Sequence, residues 1–189
     1  MGGETSKDFS YGDWTGELIP GETRILRYPE YTNRELPFEP VEGVDTLWKA
    51  FCHSVAQYSN NRFLGKRIKI SEDKFEDYTW RTYKEIYNNV HEFAAGLIHL
   101  NLNPSIESPH DGLFKFLGIY SKNREEWVVG YLACHMTSIT VITFYNTLGE
   151  NVIEYILDQT KLTTLMLESK SLNKLIDLKC ENKHGNLKI

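Results

Sequence analysis

The fold class follows from FLGIYSKNREEWVVGYLACHMTSITVITF, residues 116–144. Residues 116–120 form a short apolar run typical of a buried strand, and residues 139–144 form a second one. Between the two runs, apolar residues recur at helical spacing and predict an amphipathic helix: Trp127, Val128, Tyr131 and Leu132. Asn123 and Glu126 have the spacing of a helix cap. Buried strands joined through a helix predict parallel pairing and an α/β fold.

The same alternation continues downstream. A helix is predicted around residues 152–157, a third strand over 163–167, a third helix around 172–176 and a fourth strand from Leu187. Right-handed crossovers then give a doubly wound, mostly parallel sheet with helices on both faces. Because a sheet halted at the fourth strand would leave an unpaired edge, we expect the sheet to be incomplete and the natural protein to continue past Ile189.

Upstream, the pattern predicts a small β-hairpin between two helices. Asp45 or Thr46 can cap a first helix, and residues 63–70 and 78–80 alternate as hairpin strands. Thr82 and Glu85 have capping-box spacing and open a long amphipathic helix. Its apolar stripe comprises Tyr83, Ile86, Tyr87, Val90, Phe93, Ala94, Leu97 and Ile98. Two prolines predict a loop over residues 101–112.

The first 44 residues have a different character. Four of the six prolines (Pro20, Pro29, Pro37 and Pro40) fall within them, with several glycines nearby. Such a stretch does not sustain a helix or a central strand. We therefore predict an extended arm over residues 1–44 and the first part of a larger domain over residues 45–189.

Composition excludes several classes of protein. The chain has 41% hydrophobic and 25% charged residues, which is a globular balance. A net charge of −5 argues against nucleic acid as a partner. Three widely spaced cysteines (Cys52, Cys134 and Cys180) give no disulfide framework, and no stretch reads as a secretory signal or a membrane span. These features favour a cytoplasmic protein.

The sequence offers no residue that can be assigned a catalytic, cofactor-binding or metal-binding role. Neither the dinucleotide fingerprint nor the P-loop pattern occurs among the 189 residues, so nothing cradles a phosphate. The pairs Cys52–His53 and Cys134–His135 are adjacent on predicted helices, where side chains point about 100° apart, which favours buried structural cysteines over a zinc site. His91 and His99 are expected to be solvated, and His110 has no evident carboxylate partner.

Two loops remain candidates for substrate contact. Ser121, Lys122, Asn123 and Arg124 follow the first parallel strand, and Tyr145, Asn146 and Thr147 follow the second. Ligands of open α/β sheets bind at the carboxyl ends of the strands. The alternative interpretation is that these residues cap helices and turn the chain, with a solvated lysine and arginine.

One modification motif stands at the start of the sequence. MGGETS, residues 1–6, fits the pattern for N-myristoylation at Gly2, with a chance match as the alternative explanation. A single myristoyl chain binds bilayers only marginally. The motif therefore suggests reversible, peripheral attachment to the cytosolic face of a membrane.

Five segments in order resemble the front of eukaryotic long-chain fatty acid–CoA ligases, in the adenylate-forming AMP-binding superfamily. They are VEGVDTLWKAF, NRFLGKR, YTWRTYKEIYNNVHEFAAGL, LGIYSKNREEWVVGYLAC and ITVITFYNTLGENVIEYILDQT. The resemblance implies an enzyme that activates a fatty acid with ATP and Mg²⁺ to acyl-AMP and transfers the acyl group to coenzyme A.

The family's Ser/Thr/Gly-rich phosphate loop and its later motifs have no counterpart before Ile189, so no functional residue is carried over. The resemblance thus implies an N-terminal fragment that is inactive alone and binds no cofactor tightly. Two alternatives stay open: a non-catalytic α/β protein-interaction module, and an adenylate-forming ligase for another acid. Acyl-chain length, oligomeric state and membrane address are not fixed by the sequence.

Overall fold

A computed structural model of the protein describes residues 11–108, 112–145 and 150–180. The chain forms two compact units, Met1–Asp45 and Thr46–Ile189. The first contains a strand pair and a single turn of 3₁₀-helix. The second contains the helices and the parallel sheet. The site described below lies entirely within the second unit.

In the first unit, strand β1 (Asp13–Thr15) pairs antiparallel with β2 (Ile25–Arg27), and a 3₁₀ turn covers Pro29–Tyr31. The expected extended arm therefore contains a strand pair that the sequence did not predict. Two glycines in the connection, Gly16 and Gly21, have positive φ angles of 78° and 87°, which reverse the chain without steric cost.

The second unit begins with helix α1 (Leu47–Tyr58), capped by the Thr46 hydroxyl, which accepts from the Lys49 amide at 3.1 Å. Strands β3 (Arg62–Lys66) and β4 (Thr79–Thr82) form the predicted hairpin. Helix α2 (Tyr83–His99) follows without a break. The capping box at its start is confirmed, because the Glu85 amide donates to the Thr82 hydroxyl at 3.2 Å and the Thr82 amide donates to the Glu85 carboxylate at 2.7 Å.

The predicted loop over residues 101–112 is partly wrong. Strand β5 (Ile106–Ser108) pairs antiparallel with β6 (Gly112–Phe114). Pro104 precedes β5, so it removes no hydrogen bond from this short ladder, and Pro109 lies outside the described residues.

A three-stranded parallel sheet forms the centre of the second unit. Its elements are β7 (Phe116–Tyr120), α3 (Glu125–Met136), β8 (Thr140–Phe144), α4 (Glu150–Thr160), β9 (Leu165–Leu167) and α5 (Ser169–Cys180). The strand order is β8–β7–β9, with both pairs parallel. The predicted parallel pairing is confirmed. The fourth strand predicted from Leu187 lies outside the described residues.

Helices pack on both faces of this sheet, as predicted. On one face, Leu117 and Ile119 of β7 cluster with Leu97 of α2 and Cys134 of α3. On the other face, Tyr120 and Phe144 cluster with residues of α4 and α5, including Ile153, Leu157 and Leu175. Alternate residues of β7 therefore enter opposite hydrophobic layers, as the period of a strand requires.

Two local predictions are wrong. The residue that caps α3 is Arg124 rather than Asn123, and it makes no side-chain cap hydrogen bond. Ile98, expected on the buried stripe of α2, is 66% exposed. It lies in the last turn of the helix, one residue beyond Leu97, where packing against the sheet ends.

Candidate functional site

The carboxyl ends of the three parallel strands lie at one edge of the sheet and present polar residues there. Ser121 to Arg124 follow β7, Tyr145 follows β8 and Glu168 follows β9. Parallel pairing places these segments side by side. This edge is where open α/β sheets bind ligands, and it is the candidate site.

Glu168 joins the ends of β7 and β9. Its carboxylate accepts from the Lys122 amide and from the Lys170 ammonium at 2.8 Å, while its own amide donates to the Tyr120 carbonyl at 3.2 Å. The hydrogen bond from the Lys122 amide, followed by that from Lys170, lowers the pKa of Glu168. The carboxylate therefore stays ionised and holds the β7–α3 loop in place.

Glu168 was not among the residues that the sequence singled out. The available signal was its position as the first residue after the third predicted strand, at the same edge as Ser121 to Arg124. Its amide partner is 46 residues away in sequence, so only the strand order shows that the two segments meet.

A second set of charges fixes the start of α3. The Arg124 guanidinium donates to both oxygens of Glu126 at 2.7 and 2.9 Å. This pairing is the largest cause that lowers the pKa of Glu126 to about 2. Arg81 of β4 lies 3.6 Å from Glu85 and 3.7 Å from Glu125, so it connects the hairpin to both long helices.

A cavity along this edge has a volume of about 810 Å³. Its apolar wall comes mainly from α2 and β9, with Phe93, Leu97 and Met166 among its members, and its polar rim includes Arg124 and Glu168. Ser121 also lines it. The Ser121 hydroxyl oxygen is buried and has no hydrogen-bond partner among the described residues. This hydroxyl is therefore available to a ligand or a solvent molecule in the cavity.

The two predicted loops meet in a neighbouring cavity of about 650 Å³. Ser121, Lys122 and Asn123 of the first loop and Tyr145 of the second line it, together with Trp127 of α3. The structure thus brings together three of the four candidates of the first loop and Tyr145 of the second, whereas Arg124 lines the first cavity. Asn146 and Thr147 lie outside the described residues.

The cysteine and histidine pairs do not form a metal centre within the described part of the chain, where no group of three potential ligands converges. Burial raises the pKa of the Cys134 thiol to about 12, and burial lowers the pKa of neighbouring His135. His135 instead packs edge-on against Tyr131 at 4.3 Å. A buried, protonated thiol is a structural group and a poor metal ligand or nucleophile.

The other three histidines considered in the sequence, His91, His99 and His110, differ from one another. His99 is exposed, as predicted. His91 is not simply solvated, because its ring lies 5.6 Å from Trp48 and 4.4 Å from Tyr87, with Nε2 buried and unpaired among the described residues. His110 and Gly2 lie outside the described residues.

The sequence matches the family described as AMP-binding enzyme over residues 52–189. This chain belongs to the AMP-binding enzyme family. The match includes every strand and helix that forms the candidate site.

Curated relatives of this AMP-binding enzyme chain are long-chain acyl-CoA synthetases. It is 34% identical to long chain acyl-CoA synthetase 8 of Arabidopsis thaliana, over 75% of this chain and 20% of that protein. It is 31% identical to fatty acyl-CoA synthetase A of Dictyostelium discoideum, over 86% of this chain and 22% of that protein. The chain thus spans about a fifth of the length of these relatives.

Solved structures support the fold of this AMP-binding enzyme chain. An anthranilate CoA ligase, AuaEII, in complex with anthranoyl-AMP superposes with a TM-score of 0.56 at 15% identity, covering 80% of this chain and 24% of that one. The A-PCP didomain of a carboxylic acid reductase from Segniliparus rugosus, in complex with AMP, gives 0.60 at 11% identity, covering 79% and 21%. At these identities the likeness shows an α/β fold alone. Among the described residues, no helix is both long and apolar enough to span a bilayer.

Proposed function

We propose that this chain is the N-terminal part of a long-chain fatty acid–CoA ligase. The observation that carries the proposal is its identity to long-chain acyl-CoA synthetases, 34% over 75% of the chain for the Arabidopsis protein. The parallel sheet, with polar residues at its carboxyl edge, is compatible with that assignment. Because the chain spans about a fifth of these relatives, the activity belongs to the whole enzyme.

The reaction proposed for the whole enzyme has two steps. A fatty acid carboxylate attacks the α-phosphorus of ATP, with Mg²⁺, and pyrophosphate leaves, which gives an acyl-adenylate. The thiol of coenzyme A then attacks the acyl carbon, loses its proton, and AMP leaves. Adenylation supplies the leaving group that a free carboxylate lacks, and cations offset charge on the phosphates.

Within this scheme, the chain itself acts as a scaffold. Its sequence contains neither the dinucleotide fingerprint nor the P-loop pattern. Its contribution is the sheet edge at which Glu168 fixes the β7–α3 loop. We therefore propose that the 189-residue polypeptide binds no ATP, Mg²⁺ or coenzyme A tightly and catalyses no adenylation on its own.

Pyrophosphate exchange tests both parts of the proposal. The parent enzyme, incubated with palmitate, should incorporate labelled pyrophosphate into ATP, whereas the isolated 189-residue chain should give the rate of a no-enzyme blank. Octanoate and benzoate, tested in parallel with the parent enzyme, should be weaker substrates than palmitate. Exchange by the isolated chain would disprove the scaffold role, and a parent that prefers benzoate would identify a ligase for another acid.

We also propose, from the sequence motif alone, that Gly2 is N-myristoylated and that the enzyme attaches reversibly to the cytosolic face of a membrane. Intact mass spectrometry of natively expressed protein tests this. The expected spectrum shows the mass increment of one myristoyl group, which Gly2→Ala removes. A native protein without that increment contradicts the proposal.

A further inference from the structure

A third cavity lies beside the candidate site, between the β3–β4 hairpin and the loop that joins β7 to α3. Its volume is about 640 Å³. Two cationic residues of the hairpin, Lys66 and Arg67, and two of the loop, Lys122 and Arg124, line it. Cations from two segments distant in sequence thus face one space, which raises the local positive potential.

The carboxylates of this cavity are already engaged. Glu126 is held by Arg124 through two hydrogen bonds, and Glu168 accepts from the Lys122 amide and from Lys170. Glu125 lies 3.7 Å from Arg81. Four cationic residues and three carboxylates line the cavity. Arg81 and Lys170 pair with two of these carboxylates from outside the cavity wall, so cations outnumber carboxylates around it.

The two lysines of the cavity have no direct partner for their ammonium groups among the described residues. Lys66 and Lys122 are exposed, and neither ammonium group forms an ion pair or a hydrogen bond within the described residues. Both act at longer range, since Lys66 lowers the pKa of Glu126 and Lys122 lowers that of Glu168 as lesser contributions. Each ammonium group therefore keeps three donors for a ligand.

Arg67 is held in position beside them. Its Nε donates to the Glu76 carbonyl at 2.8 Å, and its guanidinium lies over the rings of Phe75 at 5.1 Å and Tyr78 at 5.5 Å. These contacts leave the terminal nitrogens of Arg67 without a hydrogen-bond partner among the described residues. A guanidinium fixed in this way loses less conformational entropy when it binds an anion.

From this geometry we propose that the cavity weakly binds a small inorganic polyphosphate anion, held by Lys66, Arg67 and Lys122. A multivalent anion fits because several separate donors of like charge need several acceptor oxygens, and phosphate oxygens match both ammonium and guanidinium groups. The start of α3, which has no side-chain cap, adds favourable partial charge. The proposal does not depend on the proposed ligase activity.

Calorimetric titration of the 189-residue chain with sodium pyrophosphate at low ionic strength tests the site. One saturable binding event is expected, tighter for pyrophosphate than for inorganic phosphate and weakened by added sodium chloride. Lys66→Gln and Lys122→Gln should each weaken binding about tenfold, through loss of a charge-assisted hydrogen bond. Lys66→Arg should retain most of the affinity.

Lys115→Gln is the matched control, because Lys115 is exposed but immediately precedes β7, at the opposite edge of the sheet. It removes the same charge and should leave the affinity unchanged. Circular dichroism should show that all variants keep the fold. Absence of saturable binding, or equal weakening by Lys115→Gln, overturns the site. Neither result bears on pyrophosphate exchange by the parent enzyme, so the two proposals fail separately.

Discussion

Gly118, in the middle of the central strand, shows how one residue limits the packing of the sheet. A Cβ atom at this position would lie 3.0 Å from the Phe144 ring and closer still to the Leu165 side chain. Leu165 and Phe144 belong to the two neighbouring strands and are both buried. The absence of a side chain on β7 is therefore what allows both residues to enter the same layer.

We predict that Gly118→Ala destabilises the protein by about 1–3 kcal/mol, as expected for overpacking of a dense core. Urea denaturation monitored by tryptophan fluorescence measures the effect. Gly96→Ala is the matched control, because a Cβ atom added there would meet no neighbouring side chain within 4 Å and alanine favours the helix. A neutral Gly118→Ala would show that Leu165 can move aside freely.

The pKa of Glu126 provides a pH-dependent test of its pairing with Arg124. Its pKa, lowered to about 2 mainly by Arg124, should rise towards the ordinary value of 4.5 in Arg124→Gln. Since the folded pKa is the lower one, the pair stabilises the fold above about pH 4.5, and this contribution is lost as the pH falls towards 2. The stabilisation is small, because the Glu126 side chain is 61% exposed. Carbon-13 NMR titration of Glu126 gives the pKa directly, and an unchanged pKa in Arg124→Gln contradicts the pairing.

Among the elements, α2 packs against two helices, α1 and α3, and against both strands of the β3–β4 hairpin. Its buried residues Ile86, Val90 and Ala94 pack with α1 and α3, while Leu97 joins the layer on the sheet. The capping box fixes where the helix begins, directly after β4. The start of α2 therefore sets the register of these residues against two different layers.

Removal of the cap should have a measurable cost. We predict that Thr82→Ala lowers the free energy of unfolding by about 1 kcal/mol, since it removes the acceptor of the Glu85 amide. Thr82→Ser keeps the hydroxyl and should cost much less. Thermal and urea denaturation of the two variants make the comparison. Equal stability of the alanine and serine variants would show that the hydroxyl contributes nothing.

For the whole molecule, the distribution of hydrophobic clusters along the chain indicates where one domain ends and the next begins. All three clusters of buried residues found in the described part of the chain lie within Thr46–Ile189. The first unit instead has several exposed apolar residues, among them Trp14, Leu18 and Phe38. Because the buried clusters are confined to the second unit, we propose that the domain boundary lies near residue 45.

A chain of residues 46–189 should consequently fold without the first unit. We expect a single cooperative unfolding transition, with a midpoint within about 5 °C of that of residues 1–189, since no cluster loses a member. Differential scanning calorimetry and far-ultraviolet circular dichroism provide the measurement. Loss of cooperativity in residues 46–189 would show that the first unit completes the core.

Much of the fold could be predicted from the sequence, because periodicity and capping are signals between residues close together in the chain. The periodicity of residues 116–144 predicted β7, α3 and β8, and the spacing of Thr82 and Glu85 predicted a cap that the structure contains. The strands that the sequence did not predict have weak local signals. The strand pairs β1–β2 and β5–β6 have three residues per strand, too few for alternation to stand out.

The sequence by itself determined the α/β class, the parallel pairing, the family resemblance and the edge of the sheet at which to look, because apolar periodicity and order along the chain encode them. Only the tertiary structure decided that β9 lies beside β7, and hence that Glu168 holds the Lys122 amide. It likewise brought the hairpin cations Lys66 and Arg67 to the loop of Lys122. The physical reason is that strand order and cavity walls depend on contacts between residues far apart in sequence, which no local spacing records.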